Sequence, residues 1–485
     1  MAVIALTPPL YINVKQYGAA GDGVTDDTTA IQNALTAAGT VQGSSVFLPQ
    51  GIYLISATLQ FSGYTSVLGV GDTDFGSIIR VKTGTALTTP MLASLDWYTN
   101  ATTCGNPVHI ADIRLDGNAA TSGTAAHGLV AMNYWSIFER ISIANVAGDG
   151  FRFTAFNKAG THISNTCVEP KISRIQVRTC GVVGIHVYDD GTTLNSNTDG
   201  FLQDCIVTGA GTYGIYIEMG PGWLIQGNHV YGTGIDALYV KRCYATRVIG
   251  NYIDGYGSGS ATFIAGIAMD INNGRGSSCI GNHVGYESSS ATGPYQSIRI
   301  TGAGSASSIC VCMGNTVNGN NGSGSLGYVI QTNVSQQAFP WLVYFHDNDA
   351  QNVSAYSFMD SFTVGGNLQV LHHIASVQAN APTAAAGANA GTSPPAPVLT
   401  NCSDLDGKIS FGTGTTPAIG AQVVLTFNKA YAVAPKVIFT PINDATAALR
   451  WNVASTTTTF TYNVGVAPAA SQANTVYGFH YHVMA

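Results

Sequence analysis

The sequence predicts an all-β chain. A solenoid of stacked coils over residues 41–378 is preceded by an arm and a short helix (1–40) and followed, after a linker at 379–397, by a small β-sandwich (398–485). Three observations predict it. A Gly-Asn-x-Val/Ile unit recurs at Gly227, Gly250, Gly281 and Gly314, and its asparagines 228, 251, 282 and 315 are 23, 31 and 33 residues apart. A variable period of about 20–35 residues suits coils of short strands joined by turns of adjustable length. Between these units run short β-branched segments with period-two alternation and glycine corners. Near residue 380 the composition changes to "NAPTAAAGANAGTSPPAPV", a linker-like stretch.

The elements follow in chain order. Thr25 is placed to cap a helix from Asp26 to Ala38, with Asp26 and Asp27 at its positive end and Gly39 as its stop. Ala30, Ile31, Ala34, Leu35 and Ala38 share one face of that helix. "SVFLPQGIYLIS" and "YTSVLGVG" then begin the strand pattern. "RISIANVAGDGFRFT", "RIQVRTCGVVGIHVY" and "DCIVTGAGTYGIYIE" fit the same coil without the asparagine.

Alternation assigns the faces. Phe151/Phe153, Ile185/Val187, Ile215/Ile217, Leu238/Val240, Ile267/Met269 and Ile298/Ile300 are expected to stack inward as rungs. Two columns then point outward: Arg152, His186, Tyr216, Tyr239, Ala268, Arg299, and beside them Thr154, Tyr188, Glu218, Lys241, Asp270, Thr301. A second surface carries His229, Tyr252 and His283 in one column, and Arg178, Tyr231 and Asp254 in its neighbour. Beyond the linker, "AQVVLTF", "KVIFTPI", "TTTFTYNVGV" and "TVYGFHYHVM" read as sandwich strands.

Composition narrows the function. Hydrophobic residues make up 45% of the 485, which excludes wholesale disorder, and only 9% are charged. The surface is therefore rich in neutral hydrogen-bonding groups, which suits carbohydrate. Nineteen Lys plus Arg against 26 Asp plus Glu leave a net charge of −7, with no basic footprint for nucleic acid. No segment approaches the roughly 18 apolar residues of a membrane span, and "AVIAL" is too short for a signal-peptide core, so neither membrane insertion nor export is expected. Nine scattered cysteines lack C-x-x-C spacing and are expected to be mostly buried free thiols, Cys279 and Cys312 packed side by side. No cofactor is expected.

"NVKQYGAAGDGVTDDTTAIQNAL" (13–35) and "VFLPQGIYLIS" (46–56) resemble the N-terminal signature of the pectate-lyase-like superfamily, found in phage tailspikes and polygalacturonase relatives. The resemblance implies a right-handed parallel β-helix whose open end the helix plugs. "GKISFGTGTTPAIGAQVVLTFNKAYAVAPKVIFTPIN" onward is similar to the trimeric receptor-binding sandwiches of phage tail fibres and, more loosely, to H-type lectins. Together they imply a homotrimeric virion spike that recognises and depolymerises a bacterial surface polysaccharide, hydrolysis being favoured over β-elimination. Its partners would be that glycan and a phage tail, baseplate or adaptor protein, the last bound through the arm 1–10 or a trimer surface. The alternative is a non-catalytic receptor-binding or structural fibre.

The polygalacturonase motifs do not carry over. "NTDG" at 197–200 follows rather than precedes the pair Asp189/Asp190, and the Gly-His-Gly and Arg-Ile-Lys motifs are missing. Glycoside hydrolysis needs two carboxyl groups about 5–9.5 Å apart. Coils stack at about 4.8 Å, so Glu218 and Asp270, two coils apart in one column, are the expected catalytic pair. Lys241 between them would hold one ionised. His186, Tyr188, Tyr216, Tyr239, Lys241 and Arg299 are the expected substrate contacts. His229, Tyr231, Tyr252, Asp254 and His283 form the alternative face. Trp451, Tyr462 and Tyr477 are candidate glycan contacts in the sandwich, and Tyr481 is weighed with them. His480 and His482, on one strand face, are candidate metal ligands around a three-fold axis; the pair His372/His373 reads as a turn.

Overall fold

The computed structural model describes residues 11–118, 126–190, 196–258, 264–271, 276–285, 295–302, 309–318, 326–332, 342–346, 349–351, 355–358 and 381–484. The arm 1–10 and the pair His372/His373 lie outside them. The chain forms two units, Met1–Gly366 and Asn367–Ala485.

In the first unit the strands form three parallel stacks, the signature of a parallel β-helix. The first stack begins Tyr11–Asn13, Ser45–Phe47, Ser66–Leu68 and the second Asp22–Asp26, Gly51–Ile55, Ser77–Val81. The long strands His109–Asp116 and Ile137–Val146 belong to both. The third stack runs from Leu59–Phe61 through Phe151–Thr154, Ile185–Tyr188, Ile215–Ile217, Leu238–Cys243 and Ile264–Ile271 to Ala355–Phe358. Its registers align every inward rung as expected: Phe151↔Ile185↔Ile215↔Leu238↔Ile267↔Ile298. All of these side chains are buried. Each contributes about 1.5–3 kcal/mol over its exposed state.

The Gly-Asn repeat is explained by the corner between the first and second stacks. One residue per coil there adopts a left-handed conformation: Asp112, Arg140, Arg174 and Asp204 in the early coils, then Gly227, Gly250, Gly281 and Gly314. Glycine is the residue that does this without a Cβ penalty. The following residue is Ile113, Ile141, Ile175 or Cys205 early on, and asparagine later. Asn228, Asn251, Asn282 and Asn315 are buried and form a ladder: Asn228 Nδ2 donates to Asn251 Oδ1 (2.9 Å), Asn251 to Asn282 (3.0 Å) and Asn282 to Asn315 (2.9 Å). Each Oδ1 also accepts the backbone N–H of the preceding coil's asparagine, or of Cys205 in the case of Asn228. The buried amides are thus paired from coil to coil.

The open end is plugged by the helix Thr28–Gly39, with Ile31, Ala34, Leu35 and Ala38 buried in the core. Gln32 also completes the exposed strand edge of the third stack: its Nε2 donates to Gln60 O (3.2 Å) and its Oε1 accepts from Gln60 N (2.8 Å). An unpaired edge is a pairing hazard that this amide removes. Thr25 is not the cap. It lies in Asp22–Asp26 and bonds to Asp22, and the helix starts after Asp27. The Asp27 carboxylate points back to accept Ala20 N (2.6 Å) and Gly21 N (2.9 Å), tying the glycine turn to the helix start.

Cys104 and Cys167, 63 residues apart, form a disulfide, which the scattered spacing did not suggest. Cys180, Cys205, Cys243, Cys279, Cys310 and Cys312 are buried and outside any disulfide, and Cys279 pairs in register with Cys312. No helix among the described residues is long and apolar enough to cross a membrane.

The second unit is a sandwich of two antiparallel sheets. One runs Thr383–Ala386, Gly420–Thr426, Thr459–Val464, Trp451–Ser455, and the other Val398–Thr400, Asp406–Phe411, Tyr477–Met484, Lys436–Pro441. The stretch expected as a linker is corrected here. Thr383–Ala386 pairs with Gly420–Thr426, Thr392 bridges Thr415, and Ala390 is buried, so the sandwich begins well before residue 398. Its small residues suit close packing against a neighbouring strand as well as they suit a linker.

Candidate functional site

The third stack places the first expected column in one line, Arg152↔His186↔Tyr216↔Tyr239↔Ala268↔Arg299. His186, Tyr216 and Tyr239 stack face to face at 5.2 and 5.3 Å, and Tyr213 joins them 4.4 Å from Tyr216. The small Ala268 leaves the Arg299 guanidinium 5.6 Å from the Tyr239 ring, and Lys241 Nζ lies 4.8 Å from Tyr216 and 5.5 Å from Tyr239. Arg152 covers Tyr188 in the same way at 4.8 Å. Such contacts hold cations against ring faces.

Beneath this surface lies a charge network. Asp149, fully buried, accepts from Arg152 (2.6 Å) and lies 2.8 Å from His186 Nδ1. His186 Nε2 faces Glu218 Oε2 at 3.8 Å, an ion-pair distance rather than a hydrogen bond. Glu218 also accepts the Asp189 backbone N–H at 2.8 Å. Burial pushes the Asp149 carboxyl up, but His186 and Arg152 overcome it and hold it far below the usual range. Burial likewise opposes ionisation of Glu218, and His186, the Asp189 amide and the Tyr216 hydroxyl reverse the sign, leaving its pKa lowered. Burial lowers and Asp149 and Glu218 raise the His186 pKa, with a net increase. Burial takes His127 down to about 3, so it is neutral.

Asp270 accepts from Tyr239 Oη (2.6 Å) and Thr301 Oγ1 (2.5 Å). Nearby Asp236, buried against Arg299 (3.2 Å), has its carboxyl pKa raised by desolvation, only partly offset by Arg299 and the Ala265 amide. Burial also pushes the Tyr216 and Tyr239 hydroxyls far up, so both are neutral donors.

Two expectations change. The cation that keeps Glu218 ionised is His186, because Lys241 lies across the tyrosine faces and makes no ion pair among the described residues. His186 and Tyr216 are 6% and 7% exposed, so they support the surface rather than form it. Tyr188, Tyr239, Lys241 and Arg299 remain half-buried and open to a ligand. Asp149, His127, Asp189, Asp236 and Arg242 were missed by the sequence reading. Arg242 binds Asp189 at 3.0 Å.

The alternative face is also assembled. His229, Tyr252 and His283 pair in register, with ring distances of 4.6 and 5.3 Å, and Tyr231 lies 4.7 Å from His229. Tyr231 and Tyr252 are 37% and 41% exposed, and Tyr252 Oη reaches Asp254 only at 3.4 Å. The first half of "NTDG", Asn197–Thr198, is a short strand paired in parallel with Cys167–Val168, and the buried Asn197 donates to Tyr188 O.

In the sandwich, Tyr462, Tyr477 and Tyr481 are buried in the core beside Phe411, Phe439 and Phe479, which removes them as glycan contacts. Trp451 is half-buried against Phe439 and Tyr462. His480 and His482 are exposed on one face, and no cluster of three or more metal-ligating side chains occurs among the described residues.

Comparison with known proteins agrees with this architecture. The mannuronan C5-epimerase AlgE6 of Azotobacter vinelandii is 31% identical over 156 residues, covering 29% of this chain and 17% of its own length. The pre-neck appendage protein of Bacillus phage phi29 is 26% identical over 206 residues, covering 42% and 21%. The chain thus spans about a fifth of these relatives. The solved A-module of the A. vinelandii epimerase AlgE4 superposes with a TM-score of 0.52 at 19% identity, over 73% of this chain and 100% of that one, which shows the shared fold. The family described as rhamnogalacturonase A/epimerase, pectate lyase-like, matches residues 11–260, just over half of the 485. The chain therefore belongs to this pectate lyase-like family of right-handed parallel β-helices.

Proposed function

We propose that the chain is a homotrimeric phage appendage protein, carried on the virion tail, that binds an acidic bacterial surface polysaccharide on the third stack and cleaves it by glycoside hydrolysis. The observation that carries this reading is the half-buried surface of Tyr188, Tyr239, Lys241 and Arg299, with Glu218 held as an anion beside it. Tyrosine faces pack on the C–H faces of sugar rings, and the two cations donate to carboxylates. Glu218 is the base that activates water, and a carboxyl group kept protonated on the other side of the bond serves as acid. Asp270, the expected partner, accepts hydrogen bonds from Tyr239 and Thr301. Asp236, whose pKa burial raises, is the nearby group whose environment favours the protonated form. The appendage protein of phage phi29 among the relatives supports the virion setting.

The test is to incubate the protein with purified surface polysaccharides and follow polymer size, reducing ends and unsaturated uronate together. Shortening with new reducing ends and no unsaturation supports hydrolysis. Unsaturation makes the chain a lyase, and intact polymer that co-elutes with the protein makes it a binding fibre.

A second reading rests on the mannuronan C5-epimerases among the relatives. Inversion at C5 needs a cation against the sugar carboxylate, a base to take the C5 proton and a donor to return one on the opposite face; Arg299 or Lys241 offers the cation, the Glu218 carboxylate the base and the neutral Tyr239 hydroxyl the donor. Solvent deuterium incorporated into polymannuronate of unchanged length would favour it.

A further inference from the structure

The corner that leads from the third stack into the first holds a cluster that neither face above uses. In seven coils one residue is left-handed there as well: Tyr64 (φ 59°), Trp135 (φ 49°), Glu169, Asp199, Gly222, Ala245 and Gly276. At two of these seven positions the chain uses glycine, for which the conformation is free. At Tyr64 and Trp135 it uses large aromatic residues, for which a positive φ is a costly outlier. Their side chains do not repay that cost by burial: Trp135 is 60% exposed and Tyr64 40%. Strain kept at an exposed position points to use rather than packing.

The rings are held in place. Tyr134 packs edge-on against Trp135 (5.4 Å), its hydroxyl donates to Asn106 Oδ1 (2.9 Å), and it interacts with the Tyr64 hydroxyl. Buried Asn133 donates to Asn106 O (2.7 Å), while its Oδ1 has no hydrogen-bond partner among the described residues. The Cys104–Cys167 disulfide staples this corner, since Gly105 pairs with Asn133 and Trp135 N donates to Val168 O.

We propose that Tyr64, Tyr134 and Trp135 form an accessory, non-catalytic platform for the neutral face of a glycan chain. Flat exposed rings beside amide and hydroxyl groups match the alternating C–H and O–H faces of a pyranose. The ion pairs and cation–ring contacts of the third-stack surface have no counterpart among these three rings. The proposal shares with the proposed function only the premise that the ligand is a carbohydrate, and it does not require cleavage.

The test uses the full-length protein in native gels cast with dextran, mannan or galactan, comparing wild type with Tyr64→Gly and Trp135→Gly. We expect retardation of wild type by at least one polymer and at least a tenfold weaker affinity in Trp135→Gly. The melting temperature of that variant should be equal to or above wild type, because glycine relieves the left-handed backbone. A purely structural role would lower the melting temperature and leave retardation unchanged, and that result overturns the platform. Absence of retardation in wild type overturns it too, as does unchanged retardation accompanied by loss of an oligomer, which would make the corner a contact between copies. Glu218→Gln should be retarded like wild type even where it no longer cuts, so failure of the hydrolase reading and failure of the platform are distinguishable.

Discussion

The third-stack column and the second-stack column are built from the same residue types, stacked histidine and tyrosine at coil spacing, yet they differ in what lies behind the rings. Behind His186 and Tyr216 there is a buried network of Asp149, Arg152 and Glu218. His229, Tyr252 and His283 stack on one another, and the Tyr252 hydroxyl donates to Asp254 at 3.4 Å. A ring column alone offers adhesion. A ring column over fixed charges can hold one carboxylate ionised beside another in a different state, which acid–base chemistry needs.

The largest way to break this contrast is Asp149→Ala. It leaves Arg152 and His186 with buried, uncompensated charge and is expected to cost about 3–5 kcal/mol, read by urea or thermal unfolding. Asp254→Ala on the other face is expected to stay within about 0.5 kcal/mol. Next comes the paired removal of hydroxyls. Tyr239→Phe loses a 2.6 Å bond to the Asp270 carboxylate and should cost about 1.5–3 kcal/mol, whereas Tyr252→Phe should fall below about 1 kcal/mol, its bond being long and exposed.

The smallest effect is the dependence on pH. Asp149 and Glu218 have lowered pKa values in the fold, so their contribution is present above the unfolded carboxylate range and lost as pH falls through the folded values. The His186 pKa is raised, so its contribution is complete below the ordinary histidine value of 6.5 and lost as pH rises through the folded value. His127, neutral in the fold with its pKa taken down to about 3, is protonated in the unfolded chain once pH falls below 6.5, so unfolding free energy should be highest near pH 6.5 and decline on both sides. His186→Asn should remove the decline on the alkaline side, and an unchanged profile would show that His186 is not charged in the fold.

Much of the β-helix was legible because period-two alternation is local: Phe151/Phe153 and Ile185/Val187 announce their face without knowledge of the neighbouring coil. The Gly-Asn repeat was visible too, but its cause was not. A ladder from Asn228 to Asn315 exists only once register brings residues 23–33 apart into contact. The same limit hid the site's support. Asp149 and His127 are single polar residues in glycine-rich turns, Asp189 reads only as half of the pair Asp189/Asp190, and nothing nearby in sequence marks any of them as a buried partner. Cys104 and Cys167 meet only across coils. Local rules also misled at Thr25, where the Asp27 carboxylate serves the preceding turn, and at Thr383–Ala386, where alanines that read as a linker pair as a strand. Tyr462 and Tyr477 could not be told from surface aromatics, because a sandwich strand shows alternation but not which face is buried.

The most direct test of the central claim, that chemistry resides on the third stack, is one size-exclusion assay on a surface polysaccharide that the wild-type protein shortens. Glu218→Gln, Asp270→Asn and the double variant His229→Ala/Tyr252→Ala would be run in parallel. We expect Glu218→Gln to leave the polymer at full length while still binding it, and the double variant to cut at close to the wild-type rate. Wild-type cutting by Glu218→Gln, or loss of cutting in the double variant alone, would contradict the account and move the site to the second stack.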